Sequence, residues 1–166
     1  TAPIKSSDIP NFEEDSKIFK FNIHKNVNSK NKFAMNDAVE LVAYISNEKT
    51  TKVVIPPYVN SIAANAFKGH SEIEEVVLNE KLKVIEEYAF AECKGLKQIN
   101  LPNSLRFIGD GAFKLCSSLK EISIFSSYSS EDFVATNLFL PQPVKVNSII
   151  VIIAINNRLF FIIQIF

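Results

Sequence analysis

His70, Cys93 and Cys116 follow one another at intervals of 23 residues, and by type they are the residues of this 166-residue chain best suited to ligate a metal or exchange electrons. A zinc site drawn from them lacks a fourth ligand and the paired spacing such sites use, so no metal is expected. Two thiols at equivalent places in adjacent parallel units would lie roughly 5 Å apart, which permits a disulfide. Unpaired thiols packed as small hydrophobes suit the column better, because 2 cysteines are too few for a disulfide framework. The acidic pairs Glu13-Glu14, Glu74-Glu75 and Glu86-Glu87 are adjacent in sequence. Neighbours on a strand point to opposite faces, so none makes the convergent carboxylate pair of acid–base catalysis. Gly109-Asp110-Gly111 has neither the third glycine nor the strand spacing of a phosphate-cradling loop, and His24 and His70 belong to no zinc pattern. The chain therefore reads as a non-enzyme, with no catalytic residue, cofactor site or metal site expected.

Charge narrows the partners. Eighteen Lys and Arg balance 18 Asp and Glu, for a formal net charge of zero. With no basic block, nothing supplies the clustered positive charge that nucleic-acid binding needs, so no nucleic acid is expected. No signal-peptide pattern and no Asn-x-Ser/Thr sequon is visible.

The 23-residue interval of the His/Cys column belongs to the elements that must position it. Ala66-Phe67, Ala89-Phe90 and Ala112-Phe113 recur with the same period of 23. Val53, Val76, Ile99 and Ile122 form one apolar column; Ile55, Leu78, Leu101 and Ile124 form another. Further columns are Val59/Leu82/Leu105, Ile62/Ile85/Ile108 and Ile73/Leu96/Leu119. A fixed period of this length marks units too small to bury a core alone, which must stack on one another. Each unit opens with period-two alternation, which predicts a short strand with one buried face. Pro56 and Pro102 end the strand in two units. A second short strand follows, then a helical turn around Ala-Phe, whose positive end Glu86 and Asp110 would suit.

The pattern L-x-x-I-x-I-P, x-x-L-x-x-I, A-F, then a small residue or Cys before the next Leu resembles the BspA-like class of leucine-rich repeats, over about 75 residues from Thr50 to Phe125. The departures are Asn79, where proline is usual, and His70, where Cys is common. The resemblance implies an α/β fold: a short right-handed leucine-rich-repeat solenoid with a parallel concave sheet and a stacked Phe column. It also implies a non-catalytic protein–protein interaction module of a cell-surface or secreted adhesion-type protein, its partner a host or matrix protein. The alternative within binding proteins is a cytoplasmic scaffold, which the missing signal, missing sequons and unpaired thiols suit; an enzyme built on the non-repeat ends has no motif behind it.

Outside the 50–125 block, residues 1–16 are polar and without periodicity, a flexible leader. Residues 17–49 read as an N-terminal cap with strands near 17–23 and 38–45. After Phe125 the register fails: Glu131 and Thr136 fall where Ile and Phe belong, and Phe133, Val134, Leu138 and Phe139 suggest a degenerate fourth unit over 126–147. Residues 148–166 hold 14 apolar residues of 19 but carry Asn156, Asn157 and Arg158 at their middle. Three readings stay open there: a capping hairpin with strands near 148–155 and 158–166, a membrane segment, or a non-native tail.

Two columns project from the solvent side of the first strands: Lys52, Glu75, Gln98, Glu121 and Val54, Val77, Asn100, Ser123. Parallel neighbours lie about 4.8 Å apart, so Lys52 can pair with Glu75, while Val54 beside Val77 makes a small apolar spot in polar surroundings. These eight residues are the expected partner-binding face.

Overall fold

The computed structural model describes residues 4–24, 27–28, 34–35, 38–46, 48–119, 121–126, 134–135, 149–155 and 158–165, with side chains described within 4–23, 39–46 and 48–119. The chain enters through a 3₁₀ turn (Ser6–Asp8) and a single helical turn, α1 (Phe12–Asp15). Strand β1 (Phe19–His24) pairs antiparallel with β4 (Ala38–Tyr44); between them β2 (Val27–Asn28) and β3 (Ala34–Met35) pair only with each other.

From there each unit contributes one strand to each of two sheets. Strands β5 (Lys52–Val54), β7 (Glu75–Val77), β9 (Gln98–Leu101) and β11 (Glu121–Ser126) pair in parallel, and β13 (Ile149–Ile155) and β14 (Arg158–Ile165) extend that sheet. The second sheet runs β1, β4, β6 (Ser61–Ile62), β8 (Val84–Ile85), β10 (Phe107–Ile108), β12 (Val134–Ala135). Val53, Val76, Ile99 and Ile122 lie opposite one another across the first sheet. Leu41, Ile62, Ile85 and Ile108 do so across the second. The apolar columns are thus ladders of in-register parallel pairing, and burial on one face of each sheet is what holds the register.

The core between the sheets is built on a stack of rings. Phe67 and Phe90 are 4.9 Å apart at 14°, Phe90 and Phe113 5.5 Å apart at 2°. All three are essentially inaccessible to solvent. The stack goes one step further than Ala-Phe indicates. Tyr44 stacks on Phe67 at 5.5 Å and 22°, and Ala43-Tyr44 sits one period of 23 before Ala66-Phe67. Its Oη lies 3.1 Å from Thr50 Oγ1, which gives the polar end of this buried ring a partner. Phe19 of β1 then meets both Tyr44 (5.8 Å) and Phe67 (6.4 Å). The strand β4 assigned to the cap is therefore also a member of the second sheet's parallel ladder.

The expected helical turn around Ala-Phe is not a helix: among the described residues the repeated units contain only hydrogen-bonded turns. Bonds such as Lys68 N–H to Asn65 O (3.1 Å) and His70 N–H to Phe67 O (3.2 Å) span three residues. Two positions per unit explain why. Asn65, Tyr88 and Gly111 have φ of 60, 56 and 62°, and Gly69, Glu92 and Leu115 have φ of 83, 63 and 62°. A left-handed residue cannot continue a right-handed helix. The freed N–H groups bond the next unit instead, Phe67 to Ala89 O (2.7 Å), Phe90 to Ala112 O (2.8 Å) and Glu92 to Lys114 O (2.7 Å). With no helix there is no macrodipole for Glu86 and Asp110 to meet; Asp110 O accepts Tyr88 N–H at 3.0 Å.

The first residues also differ from a flexible leader. Ile9 is buried, the Phe12 ring lies 5.2 Å from Phe21 and 6.1 Å from Tyr58, and Tyr58 Oη donates to Asp15 Oδ2 at 2.7 Å. A few apolar side chains suffice to dock a short segment on the open end of a stack, and no periodicity announces them. Partial burial, then the hydrogen bond and charge of Asp15, push the Tyr58 phenol well above its ordinary range.

Beyond Ile122 the spacing lengthens. Val134 stands beside Phe107 after 27 residues and Val151 beside Ile122 after 29, against 23 in the regular units. Strand β13 pairs antiparallel with β14, while Asn156 and Asn157 lie outside the described residues, as does most of 126–147, including Glu131, Phe133, Thr136, Leu138 and Phe139. No helix among the described residues is long and apolar enough to cross a membrane.

Candidate functional site: the exposed face of the first sheet

Alternation along β5, β7 and β9 turns Val53, Val76 and Ile99 inward and leaves Lys52, Val54, Val77, Gln98 and Asn100 exposed, with Glu75 half-buried. Six of the eight predicted face residues thus lie together on one surface. Glu121 and Ser123 sit on β11, with Ser123 in register with Asn100, but their side chains are outside the described set. Lys52 Nζ meets Glu75 Oε1 at 2.9 Å across the ladder. One position earlier, Lys97 Nζ meets Glu74 Oε2 at 2.7 Å. Both are solvent-screened pairs, worth at most about 1 kcal/mol each, and serve mainly to hold their side chains in place. Val54 and Val77 remain 58% and 36% exposed, enough apolar surface to contribute to a contact.

Between β7 and β9 this face sinks into a depression of about 270 Å³, lined by Glu75, Val77, Gln98 and Asn100 and also by Glu80 and Asn103. The last two are absent from the predicted face because they follow the strands. Their spacing of 23 was nonetheless readable. Glu80 directly follows Asn79, the departure from the expected proline. Its Nδ2 donates to Pro56 O (2.8 Å) and Val59 O (2.9 Å) of the preceding unit, and its Oδ1 accepts Lys81 N–H (2.7 Å). Where a proline would stiffen the turn through its ring, this asparagine ties it to the neighbouring unit.

The His/Cys column is built for packing. Cys93 and Cys116 are unpaired and buried, each thiol donating to the carbonyl of a Phe in the previous unit, Phe67 O and Phe90 O, both at 3.0 Å. Burial pushes both thiols up, that of Cys116 to about 12, so neither is a nucleophile near neutral pH. His70 turns outward to Glu72, Nδ1 to Oε1 2.8 Å, with its ring 4.9 Å from that of Tyr44. Among the described residues no three His, Cys, Asp or Glu side chains are grouped to hold a metal ion.

No curated protein matches the chain. Among solved structures, it is similar to a leucine-rich repeat protein from Eubacterium ventriosum (20% identity, TM-score 0.49, covering 59% of this chain and 29% of that one). It is also similar to the leucine-rich repeat protein of T. pallidum (21%, 0.49, 74% and 63%) and to a leucine-rich cell surface protein of Faecalibacterium prausnitzii (23%, 0.36, 70% and 35%). The chain spans less than two thirds of the length of each. The family model for the BspA type leucine-rich repeat region matches residues 38–160 in 6 copies, beginning at β4 and running well past the 50–125 block. That match covers most of the sequence, and the chain belongs to the BspA type leucine-rich repeat family.

Proposed function

We propose that this chain is a non-catalytic protein-interaction module, a short right-handed solenoid that presents the face bearing Lys52, Val54, Glu75, Val77, Gln98 and Asn100 to a partner protein. Leucine-rich repeat proteins generally mediate protein–protein interaction. The observation that carries the reading is the face itself: exposed polar and apolar side chains on a rigid parallel ladder, pre-organised so that little ordering entropy is lost on contact. Glu121 and Ser123 extend the same columns. We place the protein at the cell surface or in secretion, in an adhesion role toward a host or matrix protein, as the family resemblance suggests. The second reading, a cytoplasmic scaffold, draws on the unpaired thiols Cys93 and Cys116. The β13–β14 pair suits a lid on the end of the array.

Two measurements test this. Glu75→Lys with Gln98→Lys should weaken partner binding while leaving the far-UV circular dichroism unchanged and the domain cooperatively folded; unchanged affinity overturns the assignment of the face. Membrane-impermeant labelling of intact cells should tag the protein, and protection from the label favours the scaffold.

A further inference from the structure

The depression between β7 and β9 is chemically lopsided. Its charged lining side chains are Glu75 and Glu80, and no Lys or Arg contributes to it. Glu75 has one carboxylate oxygen, Oε1, on Lys52 at 2.9 Å. Glu80 is exposed and has no ion pair among the described residues. Gln98 and Asn100 are exposed too, and their side-chain amides have no hydrogen-bond partner among the described residues. Val77, 36% exposed, supplies an apolar strip beside them. The site therefore offers a free carboxylate, amide acceptors and a wall for a methylene stem. A long basic side chain has this composition, an aliphatic stem ending in a multidentate cationic donor.

Resting on the reading of this face as the partner surface, we propose that the depression receives a basic side chain, arginine foremost, from an extended segment of the partner protein. The stem lies along Val77, and the guanidinium meets Glu80 and the amide oxygens of Gln98 and Asn100. Arginine fits better than lysine because its planar fork donates in several fixed directions at once, matching acceptors on two strands.

The test pans random displayed dodecapeptides against the immobilised full chain and sequences the clones that fail to bind the Gln98→Lys, Asn100→Lys variant. Face-dependent clones enriched in Arg or Lys support the proposal. Face-dependent clones without that enrichment overturn it and leave the interaction face standing. A library with no face-dependent binder overturns both. For the best clone, replacing its arginine by citrulline, a neutral isostere, should weaken binding by roughly tenfold or more, the scale of a charge-assisted hydrogen bond. Glu80→Gln should produce a comparable loss against the arginine peptide and little against the citrulline peptide. Equal affinity of the two peptides for the unaltered chain overturns the basic-residue assignment.

Discussion

Removing the middle ring of the stack is the sharpest test of how this protein is held together. Phe90 is fully buried, with ring centroids 4.9 and 5.5 Å away on its two faces. Phe-to-Ala changes in cores cost about 3–5 kcal/mol, the spread reflecting how far the site can collapse. Here collapse is opposed on both sides. The flanking rings belong to units whose separation is set by the pairings β5–β7–β9 and β6–β8–β10, so Phe67 and Phe113 cannot close the gap without breaking a ladder. Phe90→Ala should therefore lie at the upper end, about 4–5 kcal/mol, against a total stability of order 5–15 kcal/mol for a domain. Phe90→Leu keeps most of the volume and should cost about 1–2 kcal/mol. In urea, with a slope of about 2 kcal/mol/M, the two midpoints should fall by about 2 M and under 1 M, followed by circular dichroism. The leucine variant keeps the measurement readable should the alanine variant not fold. A loss under about 1 kcal/mol for alanine, or equal losses for both, would refute a stack with no room to close.

Other expectations follow from backbone geometry and burial. A Cβ on Gly109 would clash with the backbone of Glu86 and Glu87 in the adjacent unit, so Gly109→Ala should destabilise by several kcal/mol in the same urea assay; a near-neutral result would mean the units can separate locally. Glu92 and Leu115 occupy the position that Gly69 fills in the first unit, at φ of 63 and 62°. Glu92→Gly, losing only a weak 3.7 Å pair with Lys68, should leave stability unchanged or raise it by up to about 1 kcal/mol, and a clear loss would contradict a left-handed backbone there. The thiols of Cys93 and Cys116 should resist iodoacetamide at pH 8 until urea unfolds the chain. For Cys116 the folded value lies near 12 against an ordinary 9.0, so the native state holds the proton longer. Its stabilisation is complete below pH 9 and is lost as pH rises toward about 12. Cys116→Ala should flatten that part of the urea midpoint–pH curve, and an unaltered slope would assign the loss to other groups.

What could be read from residue order alone was the repeating burial. Val53, Val76 and Ile99 are apolar at every turn because the same inward position recurs every 23 residues, and the alternation beside them exposes the face on which six predicted contact residues lie. Tyr44 carries the aromatic ring of the column without the Phe of the Ala-Phe pair, although it stands one period of 23 before Phe67. Glu80 and Asn103 escaped because they follow the strands instead of lying on them. The left-handed positions were hidden for a different reason: Asn65 and Gly69 hint at them, but Tyr88, Glu92 and Leu115 do not, and at Tyr88 and Glu92 the backbone is held by hydrogen bonds to the next unit. The same holds for Asn79, whose partners sit 20 and 23 residues away, and for Ile9 and Phe12, docked by contacts that no local pattern encodes. Sequence alone determined the stacked parallel units, because repeated burial demands repeated residue types. Tertiary structure decided how each unit turns and what shape its surface takes, because those depend on backbone groups that every residue shares and on which unit lies next to which.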